Sequence, residues 1–420
     1  MNDIQIQRKT DFAAAKRLIL LCAATRMRQD KRQETEALIT NGLNWEFVYS
    51  LALRNRLMAP VYKNICAFSS QIPEEALDKF KSAYYLLQLQ NQRRYQGLGK
   101  LLEAFNQEKI PALLYKGGAL AEIIYRDIAF RPMQDFDLLV KPQDWPRIKN
   151  ILLRLGYTLP PTAEVLSRSG EDHIGCGNSS GTGVEFKFNL FWLDWPDFKK
   201  ASIWQEALQT KVAGKPVLIP SAEDHLLLLC LSLIRHRYQG LIWFCDINEL
   251  VSFYAKEIDW AKVVNKAKQK RISTFVYYGL FLTKEIFESA IPQDVLRKLS
   301  PDYLQRRLFG YFYNIRNIIN LQSISEYVYS TPGVQLLQLL LIDKLTLRPR
   351  YLLKDIAYFL RLALHLPKAK PGESMLTGSL KASLQRIKRL SLLVLKTLRR
   401  VFSISGVRAQ RRNKRFARPS

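Results

Sequence analysis

The sequence predicts an α+β protein in which a small mixed sheet, over about residues 105–220, is set into a mainly helical chain. Three observations carry this. Apolar residues recur at helical spacing through residues 11–108 and again from 221 to about 365. At residue 110 the pattern switches to short apolar runs closed by glycine. Beyond residue 157, strand-like runs alternate with turn residues. The regions that follow are 1–104 (helical), 105–220 (the sheet core), 221–367 (helical) and 368–420 (a linker and a basic tail).

In the helical lead-in, Leu18–Leu21, Trp45–Ala52 and Leu86–Leu89 keep helical apolar spacing, while Pro60 and residues 69–73 mark turns or a new helix start. The polar stretch Gln90–Gln96 is expected to be a solvated face or the end of that run. Ile110–Tyr115 is nearly all apolar and stops at Lys116-Gly117-Gly118, as a buried strand entering a tight turn does. Ala119–Tyr125 carries strong helix formers. Asp135–Val140 alternates and then becomes wholly apolar, which predicts a second strand. Pro142–Leu155 reads as an amphipathic helix stopped at Gly156. His173–Cys176 and Val184–Phe191 read as strands, and Val212–Ile219 as a hairpin. Ser221-Ala-Glu-Asp224 has the pattern of a capping box at the start of the next helix.

Composition excludes several classes. With 48 % apolar and 11 % aromatic residues over 420 positions, the chain has material for a large core and is not a disordered basic protein. Five scattered cysteines without a CxxC pair argue against a disulfide framework or a structural zinc site, and fit a reducing compartment. The longest apolar run, Leu226–Ile234, is too short to span a bilayer and lies between His225 and Arg235. The start of the chain lacks the pattern of a signal peptide, so a cytoplasmic protein is expected. The net charge of +27 is unevenly spread, because residues 381–420 hold thirteen basic residues and no acid. That tail reads as a basic amphipathic helix suited to an anionic membrane surface, with nucleic acid the less favoured partner.

The chemistry concentrates in residues 116–140 together with Glu185. A strand ending in Gly117-Gly118 leads directly into a helix, and glycine there lets a phosphate approach the backbone. Asp135 and Asp137 stand at i, i+2 on a strand, so both carboxylates share one face. Glu185 is an acid within the apolar alternation of a later strand and adds a third carboxylate. Three carboxylates facing a phosphate-binding turn suit Mg²⁺ or Mn²⁺ and phosphoryl or nucleotidyl transfer. The spacing of Gly175–Gly183 is wrong for a dinucleotide fingerprint, and no Walker A pattern is present. His225 and His236 are expected to pack or cap helices, and Asp246 to form an internal salt bridge with an arginine.

Lys116-Gly-Gly-Ala-Leu120, Tyr125, Arg131-Pro132 and Asp135-Phe-Asp-Leu-Leu-Val140 resemble the signature of the uncharacterised nucleotidyltransferase-like family. That family belongs to the DNA polymerase β-type nucleotidyltransferase superfamily. The resemblance extends over about residues 15–255 and implies a polymerase β-type core. It implies Asp135, Asp137 and Glu185 as catalytic, metal-binding carboxylates, with a nucleoside triphosphate such as ATP held by Gly117 and Gly118 and contacted by Lys116, Arg131 and Lys187. It further implies an acceptor such as a sugar or a surface-polysaccharide precursor. One position departs from the pattern: the family usually has Asp and then His two residues on, whereas this chain has Glu185 and Lys187. Lys187 either contacts a phosphate or pairs with Glu185. Two alternatives follow, a nucleotide-binding regulator without turnover and an RNA-modifying enzyme that grips its substrate with the tail.

Overall fold

The computed structural model describes residues 2–160, 173–188, 200–236, 238, 240–303, 305, 306 and 309. The expected linker, the basic tail 381–420 and the helical periodicity beyond residue 309 lie outside them, as do residues 189–191 of the strand expected at 184–191. The described residues up to Pro301 fall in one compact unit.

The lead-in forms α1 (Asn2–Cys22), α2 (Gln29–Thr40), α3 (Trp45–Arg54), α4 (Met58–Ile65) and the long α5 (Glu74–Gln107). The core follows as β1 (Ala112–Tyr115), α6 (Gly117–Ile123), β2 (Asp135–Val140), α7 (Trp145–Arg154), β3 (Tyr157–Thr158), β4 (His173–Asn178) and β5 (Gly183–Lys187). It closes with α8 (Lys200–Gln205) and the hairpin β6 (Leu208–Val212) and β7 (Lys215–Ile219). Five further helices complete the described part: α9 (Ala222–Arg235), α10 (Ile242–Phe253), α11 (Trp260–Gln269), α12 (Ser273–Phe287) and α13 (Gln293–Leu299). The capping pattern is realised, since the Ser221 hydroxyl accepts the amide of Asp224 at 3.3 Å.

The polar stretch Gln90–Gln96 presents a solvated face at Gln90, Gln92, Arg93 and Gln96, as expected, but Asn91 within it turns inward. Helix α5 runs through it without a break, and Asn91 is fully buried. Its side-chain amide donates to the carbonyls of Ile128 at 2.6 Å and Arg131 at 3.1 Å. A buried polar side chain is tolerated where it satisfies loop carbonyls that would otherwise be orphaned. Asn91 thus pins the loop between α6 and β2.

The sheet is mixed and seven-stranded, in the order β3-β4-β5-β2-β1-β7-β6. Strand β2 is antiparallel to β1 and parallel to β5, while β1 is parallel to β7. One face carries Phe136, Leu138, Val140, Val184 and Phe186 into the main core against Leu98, Leu101 and Phe105 of α5 and Ile148 and Ile151 of α7. On the other face Leu113, Tyr115 and Leu139 pack with Ile203 and Leu228. Strand alternation puts Asp135 and Asp137 on that second face, and the register sets Glu185 directly beside Asp137.

The two glycines after β1 differ. A Cβ on Gly118 would stand 2.6 Å from Cδ1 of Phe136 and 3.1 Å from Cδ1 of Leu114, whereas one on Gly117 would meet nothing nearer than 3.5 Å. Gly118→Ala should therefore cost about 1–3 kcal/mol by overpacking. Gly117→Ala should stay within about 0.5 kcal/mol in the same urea titration.

Candidate active site

Lys116 joins β1 to α6 at φ +56°, ψ −140°, a region that side-chain-bearing residues seldom occupy. Its amide donates to Nε2 of His225 on α9 at 3.1 Å, and its carbonyl accepts the Leu120 amide at 2.9 Å as the first bond of α6. His225 is therefore neutral at Nε2. Burial pushes its pKa down from 6.5 to about 3. Between those values the unfolded chain takes up a proton that the folded site excludes. This part of the stability is complete above about pH 6.5 and is lost as pH falls toward 3. His225→Gln keeps an acceptor but removes the proton, so the stability difference between about pH 7 and 4.5 should shrink in urea unfolding.

The strand register delivers the carboxylates. Asp137 pairs in register with Tyr115 on one side and Glu185 on the other, and Asp135 pairs with Gly183. A side chain at 183 would strike the Gln134 carbonyl at 2.7 Å, so glycine is what allows β5 to approach Asp135 this closely. The Lys116 ammonium meets Oδ1 of Asp137 at 2.7 Å, with each side chain 12 % exposed. Lys187, on the same face as Glu185 and buried, meets Oε1 of Glu185 at 2.5 Å. Of the two sequence readings of Lys187, the structure shows the pair with Glu185. Asp135 sits at the exposed start of β2. Its carboxyl is held above the usual range by desolvation first, then by the charges of Asp137 and Glu185, while Lys116 and Lys187 pull it down.

Arg131 forms the other wall. It is buried, with Nε donating to both oxygens of Asp246 at 2.8 and 3.0 Å and Nη1 to the Pro132 carbonyl at 2.7 Å. Burial works against its charge, but Asp246, by charge and by hydrogen bond, holds the guanidinium above its ordinary pKa. The Tyr125 hydroxyl donates to the same carboxylate at 2.9 Å. The Arg131 guanidinium also lies 4.7 Å from the centroid of the Trp243 ring, and that of Arg56 lies 5.6 Å from it. His236 stacks on Trp243 at 3.6 Å with the rings 6° from parallel.

A cavity of about 280 Å³ is lined by Lys116, Gly117, Arg131, Asp135, Asp137 and Glu185, joined by Arg56, His236 and Trp243. The structure thus brings six of the sequence-predicted residues together. Gly118 backs onto Phe136, and Lys187 reaches the site through Glu185. The internal arginine bridge expected of Asp246 is the one to Arg131. Sequence reasoning missed Arg56 and Trp243 and did not place His236 at the cavity, whereas its packing or capping reading of the histidines holds, with His236 at the C-terminal cap of α9 and His225 buried against the Lys116 amide. The available signal for the histidines was their separation of eleven residues on a helical stretch, which places them on one face. Among the described residues, no three His, Cys, Asp or Glu side chains stand grouped to hold a metal ion. What the geometry offers a divalent cation is Asp135 and Asp137 at the cavity. Mg²⁺ usually takes one or two protein carboxylates when substrate phosphates complete its shell.

Among the described residues no helix is long and apolar enough to cross a membrane. Comparison with curated proteins and with solved structures gives no match. Residues 41–288, more than half of the chain, match the family described as uncharacterised nucleotidyltransferase. The matched span contains all the residues that line the cavity. The chain belongs to the uncharacterised nucleotidyltransferase family.

Proposed function

We propose that this protein transfers a nucleoside monophosphate from a nucleoside triphosphate to an acceptor oxygen, with release of pyrophosphate. The observation that carries the reading is the register of β2 and β5, which sets Asp135, Asp137 and Glu185 on one sheet face beside Lys116 and Gly117. The paired β1 and β2, the short helix between them and the third acid on the neighbouring β5 support the reading of a polymerase β-type core. Asp135 and Asp137 would hold Mg²⁺ or Mn²⁺. When bound, the metal neutralises phosphate charge and stabilises the leaving pyrophosphate. Gly117 gives the triphosphate room at the start of α6, and Lys116 and Arg56 supply positive charge to it. Arg131, with Nε and Nη1 engaged, serves chiefly to fix the wall of the cavity. Glu185 is the residue to accept the proton of an acceptor hydroxyl as the new P–O bond forms. The acceptor class we favour is a sugar or a surface-polysaccharide precursor.

A second reading, nucleotide binding without turnover, is favoured by one observation. Lys187 holds Glu185 at 2.5 Å and competes with any proton-accepting role. Mg²⁺-dependent pyrophosphate release from a panel of nucleoside triphosphates separates the two. Release supports transfer, binding without release supports the regulator, and no binding at all overturns both. Residues 381–420 are proposed to dock on an anionic membrane surface. Co-sedimentation with phosphatidylserine vesicles, lost when those residues are deleted, is the expected result.

A further inference from the structure

The carboxylate face carries its own counter-ions. Lys116 occupies Oδ1 of Asp137 at 2.7 Å and Lys187 occupies Oε1 of Glu185 at 2.5 Å. Both pairs are largely shielded from water, so each ammonium interacts far more strongly than it would on an open surface. Arg56 lines the same cavity and feels the charge of Asp135. Arg131 adds nothing to this balance because Asp246 already matches it. Among the described residues, three acids therefore face three cations, which leaves little net negative charge to draw in a divalent metal.

We propose that Lys116 and Lys187 compete with divalent metal for the carboxylates, so that the metal joins the site together with the triphosphate and binds poorly without it. A metal arriving alone at Asp137 must displace the largely shielded Lys116 ammonium from its carboxylate, which is costly. A triphosphate removes that cost, because its oxygens accept the Lys116 ammonium while the metal takes its place on Asp137. Lys116 is suited to this exchange by position. Its backbone is fixed by His225 and by the first bond of α6, so only the side chain needs to move between Asp137 and the space beside Gly117.

The identity of the triphosphate rests on the transfer reading, whereas the competition between lysine and metal does not. The test is Mn²⁺ binding to the full chain without nucleotide, read from the electron paramagnetic resonance signal of free Mn²⁺. Lys116→Gln should bind Mn²⁺ at least about tenfold more tightly than the unaltered protein. Lys116→Arg, which keeps the charge, should not. Adding Asp137→Asn to Lys116→Gln should abolish the gain. Lys187→Gln provides an independent arm through Glu185, with a gain in the same direction expected. Equal Mn²⁺ affinity in the unaltered protein and both glutamine variants overturns the proposal. In a second arm, a non-hydrolysable triphosphate with an α,β-methylene bridge should raise Mn²⁺ binding to the unaltered protein. If the lysine variants behave as expected and no triphosphate binds, the transfer reading fails and the competition stands. If triphosphate binds and pyrophosphate is released but neither glutamine variant gains metal affinity, only the competition fails.

Discussion

Asp246→Ala is expected to lower the free energy of unfolding by about 3–5 kcal/mol, one of the two largest effects of a single substitution foreseen for this protein. The carboxylate is 1 % exposed and takes two bonds from Arg131 and one from Tyr125, so its removal strands a buried guanidinium and a buried hydroxyl together. Stranding a charge in this way costs more than the pair contributes relative to apolar residues of like size. Arg131→Met combined with Asp246→Leu should therefore recover most of the loss. Urea unfolding of the single variants and the combined one closes the cycle, and a loss below about 1 kcal/mol for Asp246→Ala would show that Arg131 finds another partner.

Asp137→Asn is expected to reduce pyrophosphate release by about a thousandfold or more, by removing one of the two carboxylates proposed to hold the metal. The substitution preserves shape, and the asparagine oxygen still accepts from Lys116. Stability should change far less than activity, and thermal melts check this. Asp135 adds a signature in pH. Its folded pKa lies above the ordinary 3.8, and the proposed reaction needs the free enzyme's carboxylate to take up the metal. Activity should be lost on the acid side at a higher pH than an ordinary aspartate would give. A kcat/KM profile that keeps the same acid limb in Asp135→Asn would assign the limb elsewhere.

Much of the sheet was legible because its signals are local. Ile110–Tyr115 is short, apolar and closed by glycine, and Asp135–Val140 moves from alternation to continuous apolarity where β2 passes from the cavity into the core. The i, i+2 spacing of Asp135 and Asp137 fixes a shared face from strand geometry alone. The parallel pairing of β2 with β5 joins segments about fifty residues apart, and nothing local encodes it. In the helical half the partners were hidden for the same reason, although an internal bridge from Asp246 to an arginine was expected. His225 hydrogen-bonds to a residue 109 positions earlier and Asp246 to one 115 positions earlier, and each sits within an apolar helix that reads as core. Asn91 was misleading in the opposite sense: a polar residue in a polar stretch reads as solvated until the loop it pins is known.

The bond between Arg131 and Asp246 also sets an order of events in synthesis. Chains emerge from the ribosome N-terminal end first, at about 5–20 residues per second. The β1–α6–β2 segment with Lys116, Asp135 and Asp137 is made long before α9 and α10. Until those helices arrive, Arg131 has no Asp246, the amide of Lys116 has no His225, and the cavity lacks its Trp243 wall. A growing chain therefore carries its acids before it has the full cavity, whose wall is complete only after residue 246 has folded back on the sheet.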